Sequence, residues 1–111
     1  MSFITLTTDF GTKDHFVGAV KGAIYSELEN AKIVDITHEI SPFNITETAY
    51  ILKNSYKSFP EGTIHIIGVD SELSDSNKHI ALELDNHFFV CPDTGLISMI
   101  ASEINPTKIV E

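Results

Sequence analysis

Between Phe3 and Val69 the chain changes hydrophobic period again and again, and this alternation constrains its fold more than any other feature. The run Phe3-Ile4-Thr5-Leu6-Thr7-Thr8 is apolar and β-branched and stops at Asp9-Phe10-Gly11, the pattern of a buried strand entering a turn. From Phe16 the apolar residues Val17, Val20, Ala23, Ile24 and Leu28 follow helical spacing, with Asp14 placed to cap the first amides. Ala31 to Ile36 is again strand-like, and the loop Thr37-His38-Glu39-Ile40-Ser41-Pro42-Phe43 follows, because the residue before a proline avoids helical angles. Asn44 and Glu47 have the spacing of a capping box for a helix carrying Ile45, Ala49, Leu52 and Tyr56 on one face, which Phe59-Pro60-Glu61-Gly62 ends. Thr63 to Val69 gives a third strand that terminates at Asp70. Strands alternating with helices imply right-handed crossovers and a parallel sheet.

Beyond the polar loop from Ser71 to Lys78 the pattern changes. Ile80 to Leu84 and Phe88 to Cys91 flank Asp85-Asn86-His87 and read as a hairpin. A short apolar helix from Leu96 to about Ala101 and the start of a strand at Lys108-Ile109-Val110 complete the sequence. The expected fold is therefore α/β, a mostly parallel sheet with flanking helices plus a hairpin. The 111 residues and 42% hydrophobic content suffice for one domain with a core. Because a strand is only beginning at Glu111, residues 1–111 are expected to be part of a larger unit, with apolar surface left exposed.

Charge narrows the partners. A formal net charge of −9 repels phosphate backbones, so nucleic acid is not an expected partner. All seven basic residues are lysines, so nothing here supplies the bidentate fork of arginine. No apolar run approaches the roughly 18 residues that a membrane span needs, and a single cysteine, Cys91, makes no internal disulfide. The expected compartment is a reducing cytoplasm, with Cys91 a buried strand residue. His15, His65, His79 and His87 sit on different elements without shared spacing and read as surface or strand residues.

In an open parallel sheet, ligands bind at the carboxyl ends of the strands. Polar residues stand there: Asp9 after the first strand, His38 and Glu39 after the second, Asp70 after the third. Asp9 and Asp14 flank the Gly11 turn and suit the vicinal hydroxyls of a ribose, since carboxylates accept hydrogen bonds from such pairs. One glycine is not a phosphate loop. A divalent metal on Asp9, His38 and Asp70 is an alternative, although their spacing matches no compact ligand motif.

Five segments carry a resemblance: Thr7-Thr8-Asp9-Phe10-Gly11-Thr12-Lys13-Asp14; Val17-Gly18-Ala19-Val20-Lys21-Gly22; Ile33 to Ile40; Phe59-Pro60-Glu61-Gly62-Thr63; and Pro92-Asp93-Thr94-Gly95-Leu96. Together and in this order they resemble the S-adenosyl-L-methionine hydroxide adenosyltransferase family, which is related to the bacterial fluorinase and chlorinase. The resemblance implies hydrolysis of S-adenosylmethionine to adenosine and methionine by water or hydroxide attacking the 5′ carbon. It implies no cofactor, S-adenosylmethionine being the substrate, and no metal. It also implies an N-terminal α/β domain followed by a C-terminal β-barrel absent from this chain, and a homotrimer with sites between subunits.

By position, Asp9 would bind the ribose hydroxyls beside Phe10 and Gly11, Asp14 would line the methionine or ribose side, and Phe43 would be the aromatic residue near the sugar. Asp70 matches the aspartate that orients or activates water in the hydrolytic branch, where the halogenases resemble it but carry tyrosine. The chain departs from the family pattern in having Asn77 and Lys78 near an expected arginine, Thr94 where asparagine is usual, and no glycines after Asp70. A non-catalytic relative that binds adenosine or S-adenosylmethionine is therefore the alternative reading.

Overall fold

A computed structural model describes residues 3–69, 79–92 and 96–100, together with the backbone of residues 108–110. Its β-strands are β1 (Phe3–Thr8), β2 (Lys32–Thr37), β3 (Ile64–Gly68), β4 (His79–Leu84), β5 (His87–Pro92) and β6 (Lys108–Val110). The helices are α1 (Phe16–Glu27), α2 (Ile45–Lys53) and α3 (Leu96–Ile100). One sheet holds the strands in the order β2-β1-β3-β5-β4-β6. β1 pairs in parallel with β2 and β3, and β3 with β5, whereas β4 is antiparallel to β5 and β6. This is the α/β arrangement anticipated, a parallel core extended by a hairpin.

The strand order explains where the helices go. The crossover from β1 to β2 moves one way along the sheet, and the crossover from β2 back past β1 to β3 moves the other way. Right-handed connections of opposite direction place α1 and α2 on opposite faces. On the α2 face, Ala49, Leu52 and Tyr56 pack with Ile67, Leu82, Phe89, Leu96 and Ile100 in one cluster. Ile4 and Leu6 are buried outside that cluster, on the α1 side of β1.

The two helices differ in how they use their apolar stripes. Asn44 Oδ1 accepts the Glu47 amide at 3.0 Å, and Glu47 reaches back to the Ser41 amide at 3.1 Å, so the cap read from the sequence forms with one partner displaced. α2 stops at Lys53, earlier than the apolar pattern suggests. Asn54 Nδ2 joins its own amide on the Tyr50 carbonyl, and Ser55 Oγ takes the Ile51 carbonyl while the Ser55 amide turns to the Leu52 carbonyl, so regular helical bonding ends there. Tyr56 reaches the core from a separate 3-10 turn, Tyr56–Ser58. In α1 no residue is fully buried, and Phe16 and Leu28 at its two ends are exposed.

The hairpin turns on Asp85 and Asn86, with φ of 54° and 63°. Two positive values at the central residues are what a two-residue primed turn requires, and these residue types tolerate them. Cys91 is buried on β5. On the sheet face opposite α2, the side chains of Ile64, Ala81, Phe88 and Val90 line an open, largely apolar groove of about 390 Å³, with Phe88 43% exposed. No helix among the described residues is long and apolar enough to cross a membrane.

The core holds an unusual polar pair. His65 on β3 is 0% exposed, with Nδ1 2.7 Å from Thr5 Oγ1 and Nε2 3.1 Å from His87 Nδ1 on β5. Tyr56 meets both rings edge-on, and its hydroxyl donates to Asp85 at 3.2 Å. Burial and the neighbouring His87 hold the His65 pKa down, from 6.5 to about 4. Burial also lowers that of His87, against the opposing pull of Asp85 and Glu61. A histidine whose folded pKa is depressed stabilises the fold fully above its unfolded value and loses that contribution as pH falls toward the folded one.

Stability should therefore decline between pH 6.5 and about 4, by roughly 3 kcal/mol from His65 at 1.36 kcal/mol per pKa unit. Urea denaturation across this window checks it. His65→Phe should flatten the slope, and an unchanged slope would remove His65 as its source.

Candidate functional site

The site lies where β1 and β2 deliver their carboxyl-end loops, 9–15 and 38–44. Asp9 follows β1, and its amide donates to the Gly68 carbonyl at the end of β3 at 3.4 Å. Gly11 adopts φ of 75°, the left-handed conformation that glycine takes without steric cost, and its amide donates to the His38 carbonyl at 2.7 Å. The Ile40 amide donates to the Thr8 carbonyl at 3.3 Å, and the Thr12 hydroxyl to Glu39 Oε1 at 3.2 Å. Two loops from different strands are thus tied into one rim.

Phe43 is the most telling residue of that rim. The Asn44 amide closes a turn on the Ser41 carbonyl at 3.0 Å, with Pro42 second and Phe43 third. The third position of such a type II turn needs positive φ, normally supplied by glycine or asparagine. Phe43 holds φ of 61°, with its amide donating to Asp9 Oδ2 at 3.1 Å. Its ring is 67% exposed, so apolar burial does not compensate for the conformation. A bulky residue in this region costs roughly 1–2 kcal/mol. Phe43 thus combines an unfavourable backbone angle with exposure at the carboxyl edge of the sheet, and the Asp9 carboxylate holds it there.

Phe10 has a different place. Its ring lies against Gly68, where an added Cβ would come within 3.0 Å of the ring tip, and 6.0 Å from the Phe16 ring. It therefore forms the wall between β3 and α1. Asp14 Oδ1 accepts the Phe16 amide at 3.2 Å, so it secures the start of α1 as the sequence suggested while remaining exposed. Asp9 Oδ1 makes no hydrogen bond among the described residues and is free to accept one from a ligand hydroxyl. Asp70, Asn77, Lys78 and Thr94 lie outside the described residues.

His38 does not behave as a metal ligand. It is 5% exposed, with Nδ1 2.7 Å from Thr8 Oγ1 and Nε2 2.8 Å from Asp35 Oδ1. Both ring nitrogens are occupied, so the set of Asp9, His38 and Asp70 loses its imidazole for steric and hydrogen-bonding reasons that spacing could not reveal. Among the described residues no group of three histidine, cysteine, aspartate or glutamate side chains could hold a metal ion.

Asp35, unremarked in the sequence, is the hub: Oδ1 faces His38 and Oδ2 accepts from Lys21 Nζ at 2.7 Å. Burial alone would raise its pKa, but hydrogen bonds and charges from Lys21 and His38 outweigh that and hold the carboxyl below its ordinary 3.8. The three-residue spacing from Asp35 to His38 across a strand end was the only signal available in the sequence.

Taken together, a mostly parallel sheet with an acidic and aromatic rim at its carboxyl edge defines an α/β domain. Residues 4–111 match the family model described as SAM hydroxide adenosyltransferase N-terminal domain. The chain belongs to that family. It is 39% identical, over its whole length and 44% of the relative, to a protein of Methanocaldococcus jannaschii named (R)-S-adenosyl-L-methionine hydrolase. It is 21% identical to a fluorinase of Actinopolyspora mzabensis over 97% of this chain and 44% of that protein. A solved structure of an uncharacterized conserved protein from Thermotoga maritima superposes with a TM-score of 0.89 at 36% identity, covering 96% of this chain and 41% of that one. The chain thus spans less than half the length of the curated relatives it matches.

The strain at Phe43 makes a direct prediction. Phe43→Gly should leave stability within about 1 kcal/mol of the parent, because relief at positive φ offsets the added chain entropy of glycine. Phe43→Val, β-branched at the same angle, should cost about 1–2 kcal/mol more than the glycine variant. Urea denaturation of both variants checks the order, and a stable valine variant would show that the turn is unstrained.

Proposed function

We propose that the protein containing this domain hydrolyses S-adenosylmethionine to adenosine and methionine, and that this domain supplies the ribose side of the site. The observation that carries the reading is the Asp9–Phe43 pair. One carboxylate oxygen fixes the backbone beneath an exposed aromatic ring, and the other is left for a hydroxyl. The ribose of a nucleoside offers both complements, a vicinal diol and an apolar C–H face. The relative's name supports the (R)-configured sulfonium as substrate.

In this reading Asp9 accepts the ribose hydroxyls, Phe43 covers the sugar, and Phe10 and Gly11 shape the wall and turn beside them. Asp14 lines the methionine or ribose side. Asp70 orients the attacking water. The water oxygen forms a bond to the 5′ carbon as the carbon–sulfur bond breaks, its electron pair returning to sulfur as a neutral thioether and the water proton passing to Asp70 or to solvent. No general acid is needed for such a leaving group, so alignment and desolvation of the nucleophile are the main tasks. The excess of acidic residues suits a cationic substrate. A later barrel domain and trimeric assembly, with the site closed by a neighbouring subunit, complete the proposal.

The absence of arginine throughout the chain favours one competing reading, a relative that binds the nucleoside without turning it over. Adenosine release by the full-length protein separates the two. Asp70→Ala should lower kcat at least about 100-fold, within the usual contribution of a positioned acid–base group, with KM little changed. Asp9→Ala should raise KM at least about tenfold, the loss of roughly 1.4 kcal/mol of binding. Adenosine binding with no product from the parent would establish the binding reading instead, and turnover indifferent to Asp70→Ala would overturn the role assigned to that residue.

A further inference from the structure

The line Asp35–His38–Thr8, exposed at Asp35 and buried at His38 and Thr8, has a direction, and it leads to the site. An ionised carboxylate only accepts hydrogen bonds, so with Asp35 Oδ1 at 2.8 Å the proton of a neutral His38 ring sits on Nε2. When the ring is neutral, Nδ1 accepts the hydrogen bond that the Thr8 hydroxyl donates at 2.7 Å. With its proton committed, Thr8 Oγ1 presents lone pairs, and the Phe10 amide donates to it at 3.3 Å. Thr8 and His38 are 3% and 5% exposed, so water does not compete for the contact between them. The histidine backbone takes part as well, its carbonyl accepting the Gly11 amide at 2.7 Å.

Asp9 lies between the two residues that this line immobilises. Fixing Thr8 on one side and Phe10 on the other leaves the Asp9 carboxylate little freedom. That restriction lets Oδ2 hold the Phe43 amide, while Oδ1 keeps a defined direction. Lys21 anchors the far end from α1, at an exposed contact that contributes little by itself. Both His38 nitrogens are engaged, one with Asp35 and one with Thr8.

We infer that His38 is a positioning residue for ligand binding, acting through Thr8 to set the orientation of Asp9 and of the Phe43 turn. The inference rests on the nucleoside reading for the identity of the ligand, and the relay itself is tested separately. Thr8→Val keeps shape and removes the hydroxyl, whereas Thr8→Ser keeps the hydroxyl. His38→Gln places an amide nitrogen near Nε2 and abandons Thr8, whereas His38→Asn places its polar end near Nδ1 and keeps Thr8.

The experiment measures amide hydrogen exchange at Phe10, Gly11 and Phe43, and adenosine affinity by calorimetry, in the full-length protein and all four variants. Thr8→Val and His38→Gln should speed exchange at the three amides and weaken adenosine binding, each about tenfold or more, the equivalent of losing one buried hydrogen bond. Thr8→Ser and His38→Asn should recover to within about threefold of the parent, the scale of a few tenths to 0.7 kcal/mol. Exchange unchanged in Thr8→Val, or serine and valine variants equally impaired, would overturn the relay. Altered exchange as described in a parent that does not bind adenosine would support the relay while removing the nucleoside reading.

Discussion

The reversal of chain direction around β1 is the constraint from which the rest of this domain follows. β1 pairs in parallel with β2 on one side and β3 on the other, so the first two crossovers leave in opposite directions along the sheet. Handedness then sends α1 and α2 to opposite faces and gathers the carboxyl ends of the three parallel strands at one edge of the sheet. The β1 loop lies at that edge. Its polar residues meet those of the β2 loop there because the sheet leaves them no other place.

The rim is built from two kinds of residue under opposite physical regimes. Thr8, His38 and, in part, Asp35 are withdrawn from solvent and satisfied by one another, so each contact gains strength from low dielectric surroundings and restricts its neighbours. Phe43 is exposed and conformationally unfavourable. The Asp9 carboxylate, next to Thr8 in the chain, holds the strained Phe43 backbone. The same logic removes His38 from any list of metal ligands, since its nitrogens are already committed.

The second histidine cluster shows how strongly environment decides what a residue type does. His65 and His87 share a hydrogen bond inside an aromatic enclosure of Tyr56, Phe59 and Phe89, remote in sequence from the rim. Burial there favours the neutral ring and converts a pair of imidazoles into a liability at acid pH. His38 has a carboxylate beside it instead. Three buried histidines of similar appearance in the sequence therefore serve two separate purposes.

By itself, the sequence determined the alternation of elements, the capping of α2 by Asn44, a hairpin turn at Asp85-Asn86-His87, of which the structure gives His87 to β5, and the strand-end positions of Asp9 and His38, because each depends on local period or local backbone preference. It also carried the family signature, in motifs spread from Thr7 to Leu96. Tertiary structure alone decided that α1 keeps its apolar stripe only half covered, whereas α2 ends at Lys53 through local bonds of Asn54 and Ser55 that the apolar pattern did not show. It alone joined Asp9 to Phe43, 34 residues apart, and Thr8 to His38, 30 apart. Such contacts form only after the sheet has set the register of β1 and β2, and no spacing rule along the chain encodes them. The strain at Phe43 was invisible for the same reason, since it exists only where a closed turn and a carboxylate from another loop hold one backbone angle.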